Sequence, residues 1–309
     1  MRFFVHTSDD LPVIENIENK NVGNYISPEN ISKLFDLVQD NEIVFIVDEE
    51  TYSVFSDFTT IGDYEKCDYV VITDKNIEKF VDKKLKNVLL FVDDAKKFYD
   101  NFCSIYNRCQ SIEFKFQEIT NYDKKTLEES LEKIIQFIIK NLEINKEMKL
   151  VKQLNSFAVK EKFNKFGETD FFVDTNLNVY PHASLYYSKA NVKCQNLNSF
   201  NFEKIYQLTK PHLVCIDCET FYCDRDVYRN KIKTGEYITP CINSCATTEI
   251  LSKYSKRLFN ILMDFNLKEE ENFNDRINNF KPSFEYRVFL RKECICNKIK
   301  NIDFFDRKI

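Results

Sequence analysis

Three apolar runs in the first third of the chain each end in an acid: residues 42–50 (EIVFIVDEE), 68–74 (DYVVITD) and 87–94 (NVLLFVDD). Runs that are apolar at successive positions leave no solvent-facing side, so they read as buried parallel strands. Residues 111–116 (SIEFKF) alternate instead, which predicts a fourth strand at a sheet edge. Residues 1–6 form a further short strand. Helical spacing separates these runs. Ile31, Leu34, Phe35 and Val38 repeat at helical intervals behind Ser27 and Pro28, a good N-cap followed by a residue suited to the first turn. Helices are also expected near 76–82 and 94–108. A longer one covers about 125–142, with Leu127, Leu131, Ile134, Ile135, Ile138 and Leu142 on one face. Strands separated by helices imply a parallel α/β layer, either an open sheet or a partial (β/α) barrel.

Beyond residue 150 the pattern changes. Residues 171–187 (FFVDTNLNVYPHASLYY) hold two short apolar runs around the turn TNLN and predict a β-hairpin. Residues 246–263 return to helical spacing, with Ile250, Leu251, Tyr254, Leu258 and Leu262 on one face. Residues 268–283 are polar and read as a solvated linker. The cysteines shift as well. Three of the eleven lie before residue 150, and the other eight fall between Cys194 and Cys296. The expected organisation is an α/β unit over 1–150, a Cys-rich unit over 151–263 and a C-terminal extension over 264–309.

Composition narrows the function. A 43% hydrophobic content in 309 residues supports a sizeable core. Only 4 glycines are present, and no GxGxxG or GxxxxGK[ST] string occurs, which argues against Gly-rich phosphate loops. A net charge of −5 does not favour nucleic acid as a partner. No apolar run approaches a membrane span, and the first residues lack a signal-peptide core. A cytoplasmic setting is expected, where thiols stay reduced and eleven cysteines point to metal or redox chemistry more than to disulfides.

The candidate chemistry concentrates in residues 215–245. Cys215 and Cys218 are spaced CxxC, Cys223 follows after four intervening residues, and Cys241 and Cys245 form CxxxC. A CxxC turn aims two sulfurs at one point, and two further thiolates close a tetrahedron around zinc or supply an iron–sulfur cluster. Arg225, Arg229, Lys231 and Lys233 follow closely and offset that negative charge. Two rivals use the same residues. Asp217 and Glu219 in LVCIDCETF resemble the Asp-x-Glu motif of DEDD exonucleases, but only 92 residues follow Asp217 (309 − 217). A thioredoxin-like redox CxxC has no need of Cys223, Cys241 and Cys245.

Elsewhere the candidates are plainer. The acids at the strand ends (Asp48, Asp74, Asp93, Asp94) could line a site at the carboxyl edge of the sheet. Helix capping is the reading the pattern favours for all four. Cys67, Cys103 and Cys109 have no metal spacing and read as small core residues. His6 reads as an ordinary histidine; His182, in the hairpin, and His212, three residues before Cys215, could be ligands, but a surface or hydrogen-bonding role is the reading favoured for both. Cys294 and Cys296 form an isolated CxC, equally consistent with cluster ligands and ordinary thiols.

The second half also resembles a known family, the CXXX repeat peptide maturases, relatives of radical SAM peptide-modifying enzymes with a SPASM-type C-terminal domain. The string at 234–240 (TGEYITP) looks like that family's T-x-E-x-x-T-P. Cys215, Cys218, Cys223 and Arg225 fall at its Cys pair and Cys-x-Arg. Val227, Tyr228 and Asn230 match its Val-aromatic-x-Asn run, and Cys245 falls at its later Cys. The segment at 179–187 (VYPHASLYY) looks like its Cys-Pro-Ala-Phe-Tyr hairpin.

The resemblance implies that one auxiliary [4Fe–4S] cluster is retained, on Cys215, Cys218, Cys223 and Cys245, with Cys241 as an alternate ligand. A second cluster is lost. Residues 162–169 (KFNKFGET) hold no Cys, the hairpin offers Pro181 and His182, and Asp226 stands at the third position. The radical SAM CxxxCxxC string is absent from the chain as well. The first unit then reads as a degenerate radical-SAM-like layer without its own SAM-cleaving cluster. The implied role is maturation of a ribosomally made Cys-rich peptide, by binding the precursor peptide, a radical SAM enzyme, or both. The alternative is a non-catalytic binding module held together by zinc.

Overall fold

The structure is a computed structural model. It describes residues 2–7, 25–38, 41–116, 124–145, 149–151, 154, 170–180, 195–199, 234–236, 239 and 242–264. Its framework is an open, mostly parallel sheet of ten strands. Seven run in sequence order: β1 (Arg2–His6), β2 (Glu42–Val47), β3 (Thr59–Gly62), β4 (Tyr69–Ile72), β5 (Asn87–Val92), β6 (Ser111–Phe116) and β7 (Leu150–Val151). The remaining three, β8 (Asp170–Val173), β9 (Asn178–Tyr180) and β10 (Gln195–Asn196), attach on the far side of β1. β8 pairs with β1 in parallel, and β9 and β10 continue antiparallel.

The strands form where the apolar runs predict them, and their alternation sorts the core into two groups. Phe3, Val5, Phe45, Val47, Val70, Ile72, Val88, Leu90, Val92, Ile112 and Phe114 pack with the helices. The intervening residues Phe4, Val44, Ile46, Ile61, Val71, Leu89, Phe91 and Phe172 form a separate buried group on the other face. Both faces of the sheet are therefore buried, as continuous apolar runs require.

Five of the described helices contribute to the first group. In α1 (Pro28–Val38), Ser27 Oγ accepts from the amide of Asn30 at 3.1 Å, the cap expected there. In α2 (Glu49–Phe55), Asp48 and Thr51 form a reciprocal capping box: Thr51 N donates to Asp48 Oδ1 at 2.8 Å, and Asp48 N donates to Thr51 Oγ1 at 3.1 Å. In α3 (Ala95–Tyr106), Asp94 Oδ1 accepts from Lys96 N at 2.9 Å. α4 (Lys124–Asn145) buries all six residues of its expected apolar face. It lies against α3, where Phe137 meets Phe102 and Tyr106 edge-on and Ser130 Oγ donates to the carbonyl of Ala95 at 2.8 Å.

α5 (Ile242–Asp264) returns from the far end of the sequence to pack on α4. Its expected face, Ile250, Leu251, Tyr254, Leu258 and Leu262, is buried throughout. Ser255 Oγ donates to the carbonyl of Leu154 at 2.7 Å. Lys253 pairs with Glu128, and Arg257 with Glu132, at the solvent edge of the contact.

Two expectations need correcting. Residues 111–116 are not an edge strand, because β5 and β7 flank them. Their alternating charge is not a solvated face either. Glu113 and Lys115 point to the same face of the sheet, lie 2.6 Å apart as an ion pair, and Glu113 is buried. The helix expected near 76–82 is a single tight turn, Ile77–Lys79. Asn76 accounts for that. Its Oδ1 accepts from Thr73 N at 2.7 Å and its Nδ2 donates to the carbonyl of Val71 at 3.0 Å, holding the backbone in a turn that competes with a regular helix.

Candidate functional site

Four of the candidate ligands, Cys215, Cys218, Cys223 and Cys241, lie outside the described residues. So do Asp217, Glu219, His182, His212, Asp226, Cys294 and Cys296. Cys245 is described. It sits half-buried near the start of α5. Among the described residues, no three His, Cys, Asp or Glu side chains are grouped to hold a metal ion.

The residues just ahead of α5 explain part of the TGEYITP string. Thr234 Oγ1 accepts from Glu236 N at 3.2 Å and reaches the carbonyls of Glu236 and Thr239 at 3.1 and 3.4 Å. The hydroxyl of Thr239 donates to Glu236 Oε2. Gly235 between them has φ +81°, in the left-handed region where a side chain is strained. Thr234, Glu236 and Thr239 thus bond among themselves. Six residues after Thr239 comes Cys245. The resemblance singled this string out, but its self-bonded geometry has no signature in hydrophobic patterning.

Residues 181–187 lie outside the described residues, and the two strands of the expected hairpin are present as β8 and β9. Asp174 ties its turn together, its Oδ1 accepting from the amides of Asn176 and Asn178 at 2.9 and 2.8 Å. Leu177 in that turn takes a positive φ of 62°.

The carboxyl edge of the parallel strands gathers a second set of polar groups. The four strand-end acids divide into two kinds. Asp48 and Asp94 are caps, as expected. Asp74 and Asp93 are not. Asp74 Oδ1 accepts from Asn101 Nδ2 at 2.5 Å, and Lys97 stands 3.9 Å from its other oxygen. Burial pushes the Asp74 carboxyl above its ordinary value, against the pull of Lys97 and Asn101. Burial also raises Asp93, and the negative charge of Asp74 adds to that shift. His6, at the end of β1, is fully buried, and burial drives its imidazole down to about 3, so the ring is neutral at pH 7. Its neighbour Thr7 donates to the carbonyl of Ile46 at 2.7 Å and meets Thr51 Oγ1 at 3.2 Å, locking the end of β1 to β2 and α2.

The remaining thiols behave as core. Cys67 and Cys109 are buried, and burial raises both to about 12. Cys103 is half-buried and raised by the same cause. Thiols held so far above neutral pH are poor nucleophiles and poor ligands.

No protein-family model matches the chain, and no curated protein matches it. Solved structures do. The fold is similar to that of anSMEcpe. Against native anSMEcpe with bound AdoMet and the Cp18Cys peptide, the TM-score is 0.58 at 11% identity, covering 85% of this chain and 99% of that one. Against hexahistidine-tagged anSMEcpe with bound AdoMet, the TM-score is 0.56 at 12% identity, covering 85% and 95%. At such identity the likeness concerns the fold alone: an open, mostly parallel α/β sheet. No described helix is long and apolar enough to cross a membrane.

Proposed function

We propose that the chain takes part in the maturation of a ribosomally made, Cys-rich peptide as a SPASM-type protein without its own SAM-cleaving cluster. In this role it binds the precursor peptide, a radical SAM partner enzyme, or both. One observation carries the reading. The fold is similar to that of anSMEcpe, whose structure holds AdoMet and the Cp18Cys peptide, and this chain has no CxxxCxxC string. Three thiolates are what such a string contributes to a SAM-binding cluster, so no step through AdoMet is assigned to these residues.

The donor set favours a different group. Cys215, Cys218, Cys223 and Cys245 supply four soft thiolates, the number that both a [4Fe–4S] cluster and a structural zinc take. Cys241 is one residue ahead of α5 and is the alternate fourth ligand. Bound there, a cluster supplies electron relay or a structural cross-link, and zinc supplies only the cross-link. The core thiols Cys67, Cys103 and Cys109 play no part.

Metal and sulfide analysis of protein purified without oxygen tests the proposal. About four iron and about four sulfide per chain, with a visible band bleached by dithionite, support it. One zinc without colour moves the chain to the binding-module alternative. Neither metal, with the thiols between 215 and 245 all titrating freely, overturns it.

A further inference from the structure

We infer that the surface shared by Tyr25, α1 and α2 is a docking site for a basic segment of a partner protein, one that sets arginine or lysine beside an apolar side chain. The inference uses none of the thiols, so it stands or falls apart from the proposed thiolate site.

Apolar exposure is concentrated on this surface. Of the seven large apolar side chains exposed among the described residues, five fall between Tyr25 and Phe58. Two of them form an aromatic ledge. Phe35 on α1 and Phe58 just past α2 have ring centroids 5.4 Å apart, and both contact the buried ring of Phe45 on β2. Val54 is 67% exposed and stands one helical turn from Glu50, so the two share a face of α2. Tyr25, 52% exposed, donates from its hydroxyl to Glu50 Oε2 at 2.8 Å, which brings the approach to α1 up to that face. The backbone beneath is fixed. Ile26 N donates to the carbonyl of Thr7 at 2.9 Å, and Phe58 N to the carbonyl of Phe55 at 3.0 Å. A preformed surface loses little freedom on binding.

Charge identifies the occupant. Residues 25–58 hold eight acids and one base, Lys33, a net charge of −7 where the whole chain carries −5. Lys33 is paired with Glu29, 2.6 Å away, and offsets no other acid. Asp36, Glu49, Glu50 and Asp57 are exposed on the same two helices and the turn that follows. Aromatic rings take a guanidinium or ammonium on their faces, and carboxylates pair with the same cations. A segment bearing arginine next to an apolar side chain therefore meets both features at once. A second copy of this chain is a poor fit, because it sets −7 against −7. Anionic lipid and nucleic acid are repelled for the same reason.

The test is fluorescence anisotropy of the full chain with three short labelled peptides, one of alternating Arg and Leu, one of alternating Lys and Gly, and one of alternating Glu and Leu. The expected result is that the Arg–Leu peptide binds, the Lys–Gly peptide binds about tenfold more weakly, and the Glu–Leu peptide does not bind. Phe58→Ala weakens the Arg–Leu peptide about tenfold, the size of a hot-spot truncation, and Val54→Ser weakens it as well. Glu50→Gln combined with Asp57→Asn flattens its dependence on salt. Ile144→Ser, at a position 68% exposed on α4, leaves binding unchanged and is the control for exposed apolar surface elsewhere. Thermal unfolding checks that each variant is folded. Should Phe58→Ala unfold, Val54→Ser carries the test, since that side chain stands mostly in solvent. No binding of the Arg–Leu peptide by wild type overturns the inference, and so does equal binding by wild type and Val54→Ser. A dimer seen in sedimentation that Val54→Ser abolishes also overturns it, by making a second copy the occupant. None of these outcomes bears on the thiolate site, which metal analysis decides separately.

Discussion

Phe4 and Phe172 lie 168 positions apart and stack ring on ring, with centroids 5.1 Å apart and planes 14° from parallel. They are also register partners on the paired strands β1 and β8. One apolar side chain on the first strand is thus matched to one on the late hairpin. Phe3 and Phe171 repeat the match on the opposite face, at 5.5 Å.

Because Phe172 is almost fully buried, Phe172→Ala should cost about 3–5 kcal/mol, the usual range for emptying an aromatic site in a core. Urea unfolding measures it as a shift in midpoint at unchanged slope. A loss under about 1 kcal/mol would show that the β1–β8 contact is not part of the cooperative core.

At the contact between α4 and α5, two bonds should differ in weight. Ser255 is buried and bonds a backbone carbonyl, so Ser255→Ala leaves an acceptor without its donor and should cost about 1–3 kcal/mol. Arg257 is 52% exposed where it meets Glu132, and Arg257→Ala should cost under about 1 kcal/mol. Comparable losses from the two changes in the same urea experiment would contradict this ranking.

His6 sets an acid limit. Its folded value of about 3 lies below the ordinary 6.5, so the unfolded chain takes up a proton that the folded chain refuses. The stability that follows is complete above about pH 6.5 and is lost as pH falls toward 3. In His6→Gln the dependence across that window should flatten relative to wild type, measured as unfolding free energy against pH. An identical acid limb in the variant would rule out His6 as its source.

Asp93 works in the opposite sense. Its folded value is raised, first by burial and then by Asp74, so the folded state holds the proton more tightly than the unfolded state does. Its contribution is therefore present at low pH and lost as pH rises through the shifted value. Asp93→Asn should gain stability over wild type at pH 7 and lose that advantage at the acid end. A variant that is less stable than wild type at pH 7 would mean that the charged carboxylate is needed there, and would point to a ligand.

The thiols should divide sharply. Under native conditions near pH 8, iodoacetamide should leave Cys67 and Cys109 unmodified and reach Cys103 slowly, with all three reacting after unfolding. Peptide mass spectrometry reads the pattern directly. On the proposed site, Cys215, Cys218, Cys223 and Cys245 become reactive only once metal is removed. Rapid native labelling of Cys67 would show that its burial is incomplete.

What the sequence reveals follows from how strongly each residue's environment imprints on its neighbours. β2, β4, β5 and the faces of α4 and α5 are legible because burial on both sides, or along one stripe, forces an apolar pattern. β3 is not: Thr59, Thr60, Ile61 and Gly62 carry too little apolar signal, yet Thr60 is buried because its backbone amide and hydroxyl bond Asp68. The two residues of β7 are too short to register. Asp48 and Asp74 look alike in sequence, each closing an apolar run. Only the fold shows that one caps a helix and the other meets Asn101 and Lys97. The placement of β8 beside β1 is equally silent, since parallel pairing between distant segments leaves no spacing rule. Of the candidate site, the thiol set stands out by residue type and spacing, and the TGEYITP string only by the family resemblance. The mutual bonding of Thr234, Glu236 and Thr239 emerges only in three dimensions.

The position of β1 has a consequence for how the molecule is made. It lies inside the sheet, yet its neighbours are synthesised at very different times: β2 arrives within fifty residues and β8 only after residue 169. During translation β1 therefore carries one bare hydrogen-bonding edge, flanked by Phe3, Phe4 and Val5, while more than a hundred residues are added behind it. Such an edge invites pairing with other nascent chains. The hairpin that finally covers it acts, in the life of the protein, as the stopper that ends this exposure.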